Sequence, residues 1–558
     1  MMENKFYISF LLFLISSTYR STCTETISKE KAPNFDDYRI SLKNYDNEDR
    51  NPQEFSHQGF IPGMSNITFA ITDIPNNVSF IIFQIHAFQR NVTISYSEKF
   101  VLHTKDSVTG SNIGLFYDTN GNSSINTYVM NGNNDSVDAL FVVLSYTSDA
   151  PIPGGCNMEF NIEISPFQKV FVSNSMIFVD AQPSSKPGKQ KVACDKNLVQ
   201  HDAYQLYLPG QDFTNETYFT FIKKFLTPEN ILRNGVKIPK SLIGSSMRRV
   251  YNAYPGVGSV YAMIATYKNQ SSAYVPSFTY ACDDVSFDDC GFMLTNGVSK
   301  TLCVAMIFLG VYLMIFGHKT PTGALFIFAS LQGGLIGYTI AINAGTQSES
   351  NTMWIAIGSG LLFAIIWNVL SCCLCGRASR IFSSVFLAFF FSCLIYYKLP
   401  DKALPFENDY YFWAFFAAFT LLLFIMISIT ACLSSVFCCS IIGSYLFIVA
   451  IDFYIGSSFK YIIINFIRRV TISGFDVAII NPPFGSQETS LTVFWVIFAV
   501  ASFLIQVQVC CRLCCCRPNS GYDEITIPVA HRSSDGNVEF LPWRDNFRAH
   551  RSLRKMYS

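Results

Sequence analysis

The stretch VSKTLCVAMIFLGVYLMIFG, residues 298–317, is the first of seven apolar runs in the second half of this 558-residue chain. About 20 apolar residues are enough to cross the ~30 Å hydrocarbon layer of a bilayer as one helix. The runs cover 298–317, 322–344, 353–373, 381–397, 410–430, 434–455 and 491–511. Seven runs in succession predict a seven-helix transmembrane bundle over residues 297–511, with the lipid bilayer as its first partner.

The residues before 297 have a different composition, polar and rich in Asn, Ser and Tyr. Apolar and polar residues alternate in stretches such as NVSFIIFQIHAF, NVTISYS, DALFVVLSYT, AYQLYL, TYFTFIKKF and SVYAMIATY, which is typical of β-strands. Turn signals such as TNGNS and NGNND separate them. The pattern predicts two β-sandwich modules, 22–165 and 166–296, so the fold class is an α+β membrane protein: an all-β extracellular region followed by the helix bundle.

Near the N-terminus, Lys5 is followed by the apolar run FYISFLLFLI, residues 6–15, and then by small residues. Ten residues are too few to span a bilayer as a helix, so an uncleaved first span is the weaker alternative. The pattern predicts a cleaved secretory signal over residues 1–21.

Seven N-x-S/T triplets mark glycosylation sites, and all lie in the first half of the chain. The asparagines are Asn66, Asn77, Asn91, Asn122, Asn134, Asn215 and Asn269. A single triplet is common by chance, but this clustering predicts an exported, glycosylated surface.

Four cysteines of the exported half, Cys156, Cys194, Cys282 and Cys290, predict two disulfides. Three pairings are possible, and four free thiols are the alternative. Pairing Cys156 with Cys194 and Cys282 with Cys290 is favoured because each bond joins sequence neighbours across a loop.

Seven crossings from an exported N-terminus place the C-terminus in the cytosol. The bias of basic residues between loops is weak, but the cysteine clusters that end the third and seventh runs both fall on the cytosolic side. Cysteines beside a membrane and near Arg512 and Arg517 resemble palmitoylation acceptors, whereas inert thiols and a metal site are the alternatives. The candidates are Cys372, Cys373, Cys375, Cys510, Cys511, Cys514, Cys515 and Cys516.

The tail, 512–558, lacks a periodic apolar pattern and is predicted to be a disordered trafficking segment. Its YDEI sequence, with Tyr522 and Ile525 at the recognised positions, fits the Tyr-x-x-bulky pattern that endocytic adaptors bind. A chance match is the alternative, because the pattern is short.

The chain shows no chemistry typical of an enzyme. Its 40 basic and 40 acidic residues balance, which argues against a nucleic-acid partner. It has no G-x-S-x-G or H-E-x-x-H motif, and its histidines are scattered, so no catalytic residues, no cofactor and no metal site are expected.

Three features of the second half predict details of its structure. Lys300 and Asp452 lie near outer ends of spans, where they are expected to reach the interface. Gly333 and Gly337 have the G-x-x-x-G spacing that allows close helix packing. The long connection before the last span contains YIIINFIRRV, which is expected to lie as an amphipathic segment at the outer interface.

The order of these features resembles the transmembrane 7 superfamily member 3 family. The resemblance rests on PIPGGCNMEF (151–160), DAYQLYLPG (202–210), the ACDD…DDCG segment (281–291) and FIRRV (466–470) ahead of the last span. It implies a non-enzymatic multipass plasma-membrane glycoprotein, associated with cell survival and with attenuation of cellular and endoplasmic-reticulum stress. The ectodomain would bind an extracellular protein or ligand. An orphan seven-helix receptor or a channel-like permeation protein is the alternative, and the sequence assigns no oligomeric state.

Overall fold

The computed structural model describes residues 38–46, 52–98, 106–156, 165–187, 199–240, 247–282, 297–345, 349–373, 377–398, 408–429, 433–515, 531–532 and 538–539. The signal predicted for 1–21 lies outside these residues, as do the second members of both favoured disulfide pairs and the YDEI motif.

The first module is a sandwich of two β-sheets. Its strands are β1 (Arg39–Ser41), β2 (Gln53–Ile61), β3 (Ser65–Thr72), β4 (Phe80–Ala87), β5 (Val92–Ser95), β6 (Ser107–Gly110), β7 (Asn112–Asp118), β8 (Ser124–Asn131) and β9 (Val137–Tyr146). One sheet has the order β1-β3-β8-β5-β6 and the other β2-β9-β4-β7. All pairings are antiparallel except β1 with β3.

Three phenylalanines fill the centre of this sandwich. The ring of Phe69, on β3, stacks on Phe141 of β9 at 4.7 Å between centroids and lies 5.2 Å from Phe83 of β4. All three side chains are fully buried. The two sheets are therefore held face to face by interdigitated aromatic side chains, as expected for a sandwich core.

The second module contains two more sheets and two short helices. Its elements are β10 (Lys169–Ser173), β11 (Met176–Asp180), β12 (Gln200–Tyr207), α1 (Asn215–Lys223), α2 (Pro228–Asn234), β13 (Val236–Ile238), β14 (Arg248–Asn252), β15 (Ser259–Tyr267), β16 (Gln270–Ala273) and β17 (Ser277–Thr279). The sheets have the orders β10-β11-β14 and β13-β12-β15-β16, with β17 also pairing with β15. The segment after β9 already contacts this module, because Ile152 pairs with Ser185 and Cys156 N donates to Pro183 O.

The stretch TYFTFIKKF, expected as a strand, forms helix α1 instead. The Thr214 hydroxyl caps the helix by accepting from Thr217 N, and Glu216 and Lys223 lie at the helix ends that suit their charges. The buried residues Tyr218, Phe219 and Ile222 share one helical face. The prediction of a strand from the alternating pattern of this stretch was therefore wrong.

The two modules share one hydrophobic core. Strands β4 and β9 are buried along both faces: alternate residues point into the first sandwich, and the others, such as Ile82 and Leu140, pack against the second module. The second module contributes α1, residues 225–226, Ile231 of α2 and β15 to this cluster. These strands are continuous apolar runs because neither face meets water.

Seven long helices follow, together with one shorter helix. They are α3 (Gly297–Phe316), α4 (Pro321–Asn343), α5 (Glu349–Cys373), α6 (Arg377–Lys398), α7 (Asp409–Ile429), α8 (Leu433–Ile455), the shorter α9 (Tyr461–Thr471) and α10 (Ser486–Cys515). Among the described residues, the seven long helices are apolar and long enough to cross a membrane. The prediction of seven spans is confirmed, with ends shifted by a few residues; α10 begins five residues earlier than expected.

Glycines set the closest helix contacts. At the crossing of α3 and α8, a Cβ added to Gly310 would lie 2.7 Å from Gly443 O, and one added to Gly443 would lie 2.9 Å from Gly310 O. Between α4 and α5, a Cβ on Gly337 would lie 1.9 Å from Ser359 Oγ. The expected close packing at the G-x-x-x-G pair is present, since Gly333 also faces α5 at 2.4 Å from Phe363 Cβ.

A buried glutamine joins three helices at the end of the bundle away from the β modules. Gln506 Nε2, on α10, donates to Leu313 O and Met314 O of α3 and to Ser440 Oγ of α8, at 2.8–3.4 Å. Such hydrogen bonds across helices stabilise a bundle where no water is present. Beyond α10 the described tail consists of β18 (His531–Arg532) paired with β19 (Val538–Glu539).

Candidate functional site: the junction of the second module with the bundle

The second module is joined to the bundle by backbone hydrogen bonds. The connection between α8 and α10 passes beside β14, where Ile479 N donates to Val250 O (2.9 Å) and Asn252 N donates to Ile479 O (3.1 Å). Tyr251 and Ile479 form a parallel bridge. The side chain of Ile479 is buried in the core of the second module. A residue of the helix-bundle half is therefore part of the β module.

Side chains of β12 extend the same attachment. The Tyr207 hydroxyl donates to Asn481 O (2.6 Å), and Asn481 Nδ2 donates to Gln205 Oε1 (3.0 Å). Two strands of the second module thus hold residues 479–481 in place.

Helix α9 begins beside a buried carboxylate. Lys460 N donates to Asp452 Oδ2 at 2.9 Å, so the aspartate lies at the positive end of the helix dipole. Asp452 is fully buried and Lys460 is 5% exposed. The expectation that Asp452 reaches the interface was wrong, because the turn between α8 and α9 covers it.

Helix α9 meets the second module through an asparagine pair and an arginine. Arg468 Nη1 donates to Asn252 Oδ1 (2.5 Å) and to Ala253 O (2.7 Å), and Asn252 Nδ2 donates to Asn465 Oδ1 (2.9 Å). Two tyrosine rings close the cluster: Tyr254 and Tyr461 lie 4.8 Å apart, edge to face. The expected amphipathic helix exists, but its Arg468 is buried against the β module instead of facing water.

The opposite side of α9 packs on the spans. Arg469 Nη2 donates to Asp409 Oδ1 at the start of α7, and its guanidinium lies 4.7 Å from the Phe412 ring. The Phe466 ring lies 4.9 Å from Phe389 of α6 and 4.8 Å from Phe416 of α7. Helix α9 therefore contacts the β module on one face and two spans on the other.

Burial changes the ionisation of the junction. It lowers the pKa of Lys460, which the nearby Asp452 charge partly opposes, and it lowers the pKa of Arg468. The guanidinium stays charged at any physiological pH. The arrangement links the second module to α6 and α7 through α9, so it is suited to a mechanical role.

A second buried polar cluster lies between the two β modules. His86 Nδ1 is 2.8 Å from Asn112 Oδ1, and Asn112 Oδ1 also accepts from the Tyr218 hydroxyl of α1 at 2.8 Å. His86 Nε2 is 3.1 Å from Gln84 Oε1. Burial lowers the pKa of His86 to about 4, so the ring is neutral at pH 7. A neutral imidazole carries one N–H, so the ring can donate to only one of these two oxygens.

All seven asparagines of the glycosylation triplets are exposed in the structure. Asn66 lies on β3 and Asn215 opens α1, where its Nδ2 donates to Asp138 Oδ2 (2.8 Å); the other five lie outside the strands and helices. Exposure is required for glycan attachment, but attachment itself stays a prediction.

The cysteines are placed in three groups. Cys156 and Cys282 are each disulfide-bonded, while the pairing stays a prediction because Cys194 and Cys290 lie outside the described residues. Cys372 and Cys373 end α5, and four candidates, Cys510, Cys511, Cys514 and Cys515, lie in the last turns of α10. Cys375 and Cys516 lie outside the described residues, so acylation stays a prediction.

The contact between the second module and α9 was not predicted from the sequence, although Asp452 and the YIIINFIRRV segment were each noted there. Asn252 and Arg468 are 216 positions apart, and neither belongs to a motif with known chemistry. The available signal was the FIRRV segment, with two consecutive arginines in an otherwise apolar connection between spans.

Comparison with known families matches three parts of the chain. Residues 47–146 match the TM7SF3-like, N-terminal immunoglobulin-like domain, residues 151–285 the TM7SF3-like, second immunoglobulin-like domain, and residues 303–507 the TM7S3/TM198-like domain. No solved structure matches the chain.

Curated relatives match over most of their length. The human and mouse proteins named "Transmembrane 7 superfamily member 3" are each 26% identical to this chain over 457 residues, which covers 78% of this chain and 79% of each relative. The matched ranges coincide with the two sandwiches and the helix bundle. The chain therefore belongs to the transmembrane 7 superfamily member 3 family, with two immunoglobulin-like modules ahead of a seven-span bundle.

Proposed function

We propose that this protein is a non-enzymatic plasma-membrane glycoprotein that attenuates cellular and endoplasmic-reticulum stress and so promotes cell survival. Its immunoglobulin-like modules face outside, and its C-terminus is cytosolic. The survival role rests on the family resemblance. The observation that supports a sensing or scaffolding mechanism is the junction, where Ile479 of the connection between spans completes the core of the second module.

The survival role is tested by rescue. Cells depleted of their own family member are given this chain and then exposed to thapsigargin, which empties luminal calcium. The full chain should restore survival and lower a stress reporter, whereas a signal-bearing chain without residues 22–296 should restore neither. Absence of rescue by a full chain that reaches the cell surface would contradict the proposal.

The orientation is tested by staining and deglycosylation. An epitope after Ser558 should be stained only in permeabilised cells, and enzymatic removal of N-glycans should increase gel mobility. Replacing the seven asparagines with Gln one after another should lower the apparent mass on the gel by one glycan at each step. Staining of intact cells at the C-terminal epitope would overturn the orientation.

The cytosolic tail is proposed to be acylated and sorted. Hydroxylamine-sensitive acyl exchange should label the cysteines of 510–516, and replacing those cysteines with Ser should remove the label. Tyr522→Ala should raise the surface-to-internal ratio in an uptake assay. An unchanged uptake rate would show that YDEI does not act as a sorting motif.

A receptor is the second candidate function, and the junction favours it. Helix α9 connects Asn252 of the ectodomain with Asp409 at the start of α7, so an extracellular ligand that shifts the second module would shift a span. A ligand-dependent change in accessibility of the tail would support it, and Arg469→Gln should weaken the response. Ion flux in reconstituted vesicles would instead support a channel.

A further inference from the structure

The buried charges of the junction do not balance. Lys460, Arg468 and Arg469 are 5%, 7% and 8% exposed. Asp452 lies beside Lys460, and Asp409 pairs with Arg469. Among the described residues, no carboxylate pairs with Arg468, and the groups that act on it electrostatically are tyrosines. One positive charge is therefore left over.

Uncompensated buried charge is costly. Removing an ion from water carries a large desolvation cost, which only a partner of opposite sign offsets well. A guanidinium cannot remove this cost by losing its proton. The neutral acceptors of Arg468, Asn252 Oδ1 and Ala253 O, reduce the cost but supply no counter-charge.

The surroundings of Arg468 contain unused hydrogen-bond donors. The Tyr254 and Tyr461 hydroxyls and Asn465 Nδ2 are buried, and none forms a hydrogen bond of good geometry in the described part of the chain, although the Tyr461 hydroxyl lies beside Arg468 and the Tyr254 hydroxyl beside Asn252 and Asn465. Tyr461 lies under the guanidinium, whose carbon is 5.1 Å from the ring centroid, and the two tyrosine rings touch. A cationic group together with three unpaired donors is the chemistry of an anion site.

We propose that the junction binds one small monovalent anion, chloride in the extracellular medium, held by Arg468, Tyr254, Tyr461 and Asn465. One negative charge neutralises the one unpaired cation, whereas a dianion such as sulfate would leave a new imbalance. A phospholipid head group is the other source of negative charge. The second module covers this position with Asn252 and Ala253, which favours a free ion.

The test is thermal unfolding of the full-length protein in lipid-free detergent. Sodium chloride is exchanged for sodium gluconate at constant ionic strength, since gluconate is too large for an enclosed site. Chloride should raise Tm saturably, by about 2 °C or more, because a ligand that binds only the folded state stabilises it. Equal Tm in both salts, or a shift that appears only when anionic phospholipid is added back, would overturn the proposal.

Three variants separate a specific site from a general salt effect. Arg468→Gln removes the unpaired charge and should abolish the chloride shift. Asn465→Asp places an internal carboxylate one helical turn from Arg468, and it should be stable in gluconate and insensitive to chloride. Arg469→Gln is the matched control: the Arg469 guanidinium is already paired with Asp409, so its removal should leave the chloride shift in place. If Arg468→Gln does not fold, Asn465→Asp decides, and a full chloride shift in that variant contradicts the proposal.

Discussion

Two histidine side chains, the buried His86 and the half-buried His201, account for the pH sensitivity expected of the β modules. His86 lies between the two modules, and His201 accepts from Ser184 N at 3.0 Å within the second module. Burial lowers the pKa of each to about 4; for His201 the positive charges of Lys240 and Arg249 add to the effect. Both rings are neutral in the folded protein at pH 7.

The first prediction is loss of stability in mild acid. The unfolded chain binds protons at its histidines near pH 6.5, while the folded protein does so only near pH 4. Between these values the unfolded state holds more protons, so the free energy of unfolding falls as pH falls, by at most about 1.4 kcal/mol per pH unit for each histidine. The fall in stability is measured by thermal unfolding of the full chain between pH 7.5 and 4.5.

Two variants test whether His86 contributes to this loss of stability in acid. His86→Gln should flatten the pH dependence of Tm, whereas His57→Gln, on the partly exposed outer strand β2, should leave it unchanged. Equal slopes in wild type and His86→Gln would contradict the assignment.

At the scale of elements, helix contacts depend on which face carries a glycine. Gly337→Leu in α4 would drive its side chain into Ser359 of α5, and such overpacking costs about 1–3 kcal/mol. Gly358→Leu on α5 is the control, because no atom lies within 4 Å of its added Cβ. Tm in detergent should fall for the first variant alone. Because Gly→Leu raises helix propensity at both positions, a comparable fall for both would show that the contact with Ser359 is not responsible.

The attachment of the 479–481 segment gives the next prediction. Ile479→Ala leaves a cavity in the second module and should cost about 2–5 kcal/mol. Although residue 479 lies between spans in the sequence, hydrogen exchange should increase in β11 and β14. Val470→Ala, at a more exposed position of α9, should leave exchange there unchanged. Faster exchange confined to the bundle would refute the attachment.

Some of these elements could be predicted from the sequence alone and others could not. The seven spans were predictable because a bilayer imposes length and apolarity on each span locally. Helix α1 was not, because the aromatic residues of this stretch favour a strand, whereas the buried residues Tyr218, Phe219 and Ile222 have helical spacing and pack against the first module. The Asn252–Arg468 contact joins distant positions, so no local pattern could contain it.

At the scale of the whole molecule, the shared core should make the two modules unfold together. Phe141→Ala in the first sandwich, expected to cost about 3–5 kcal/mol, should also increase hydrogen exchange in β15 of the second module. Phe60→Ala is the control, since that ring is 66% exposed. Protection of β15 that is unchanged in Phe141→Ala would mean that the modules are independent.

The two-sided burial of β4 and β9 has a consequence for biosynthesis. The first sandwich is complete once Tyr146 has been synthesised, but the residues that cover its outer apolar face extend to Val275. At about 5–20 residues per second, that face stays uncovered for roughly 10 s in a newly synthesised chain. Five of the seven glycosylation triplets lie in this first module, on surfaces that stay exposed. Early sugar attachment at these triplets, which is itself a prediction, would keep the half-finished β region soluble until its partner surface has been synthesised.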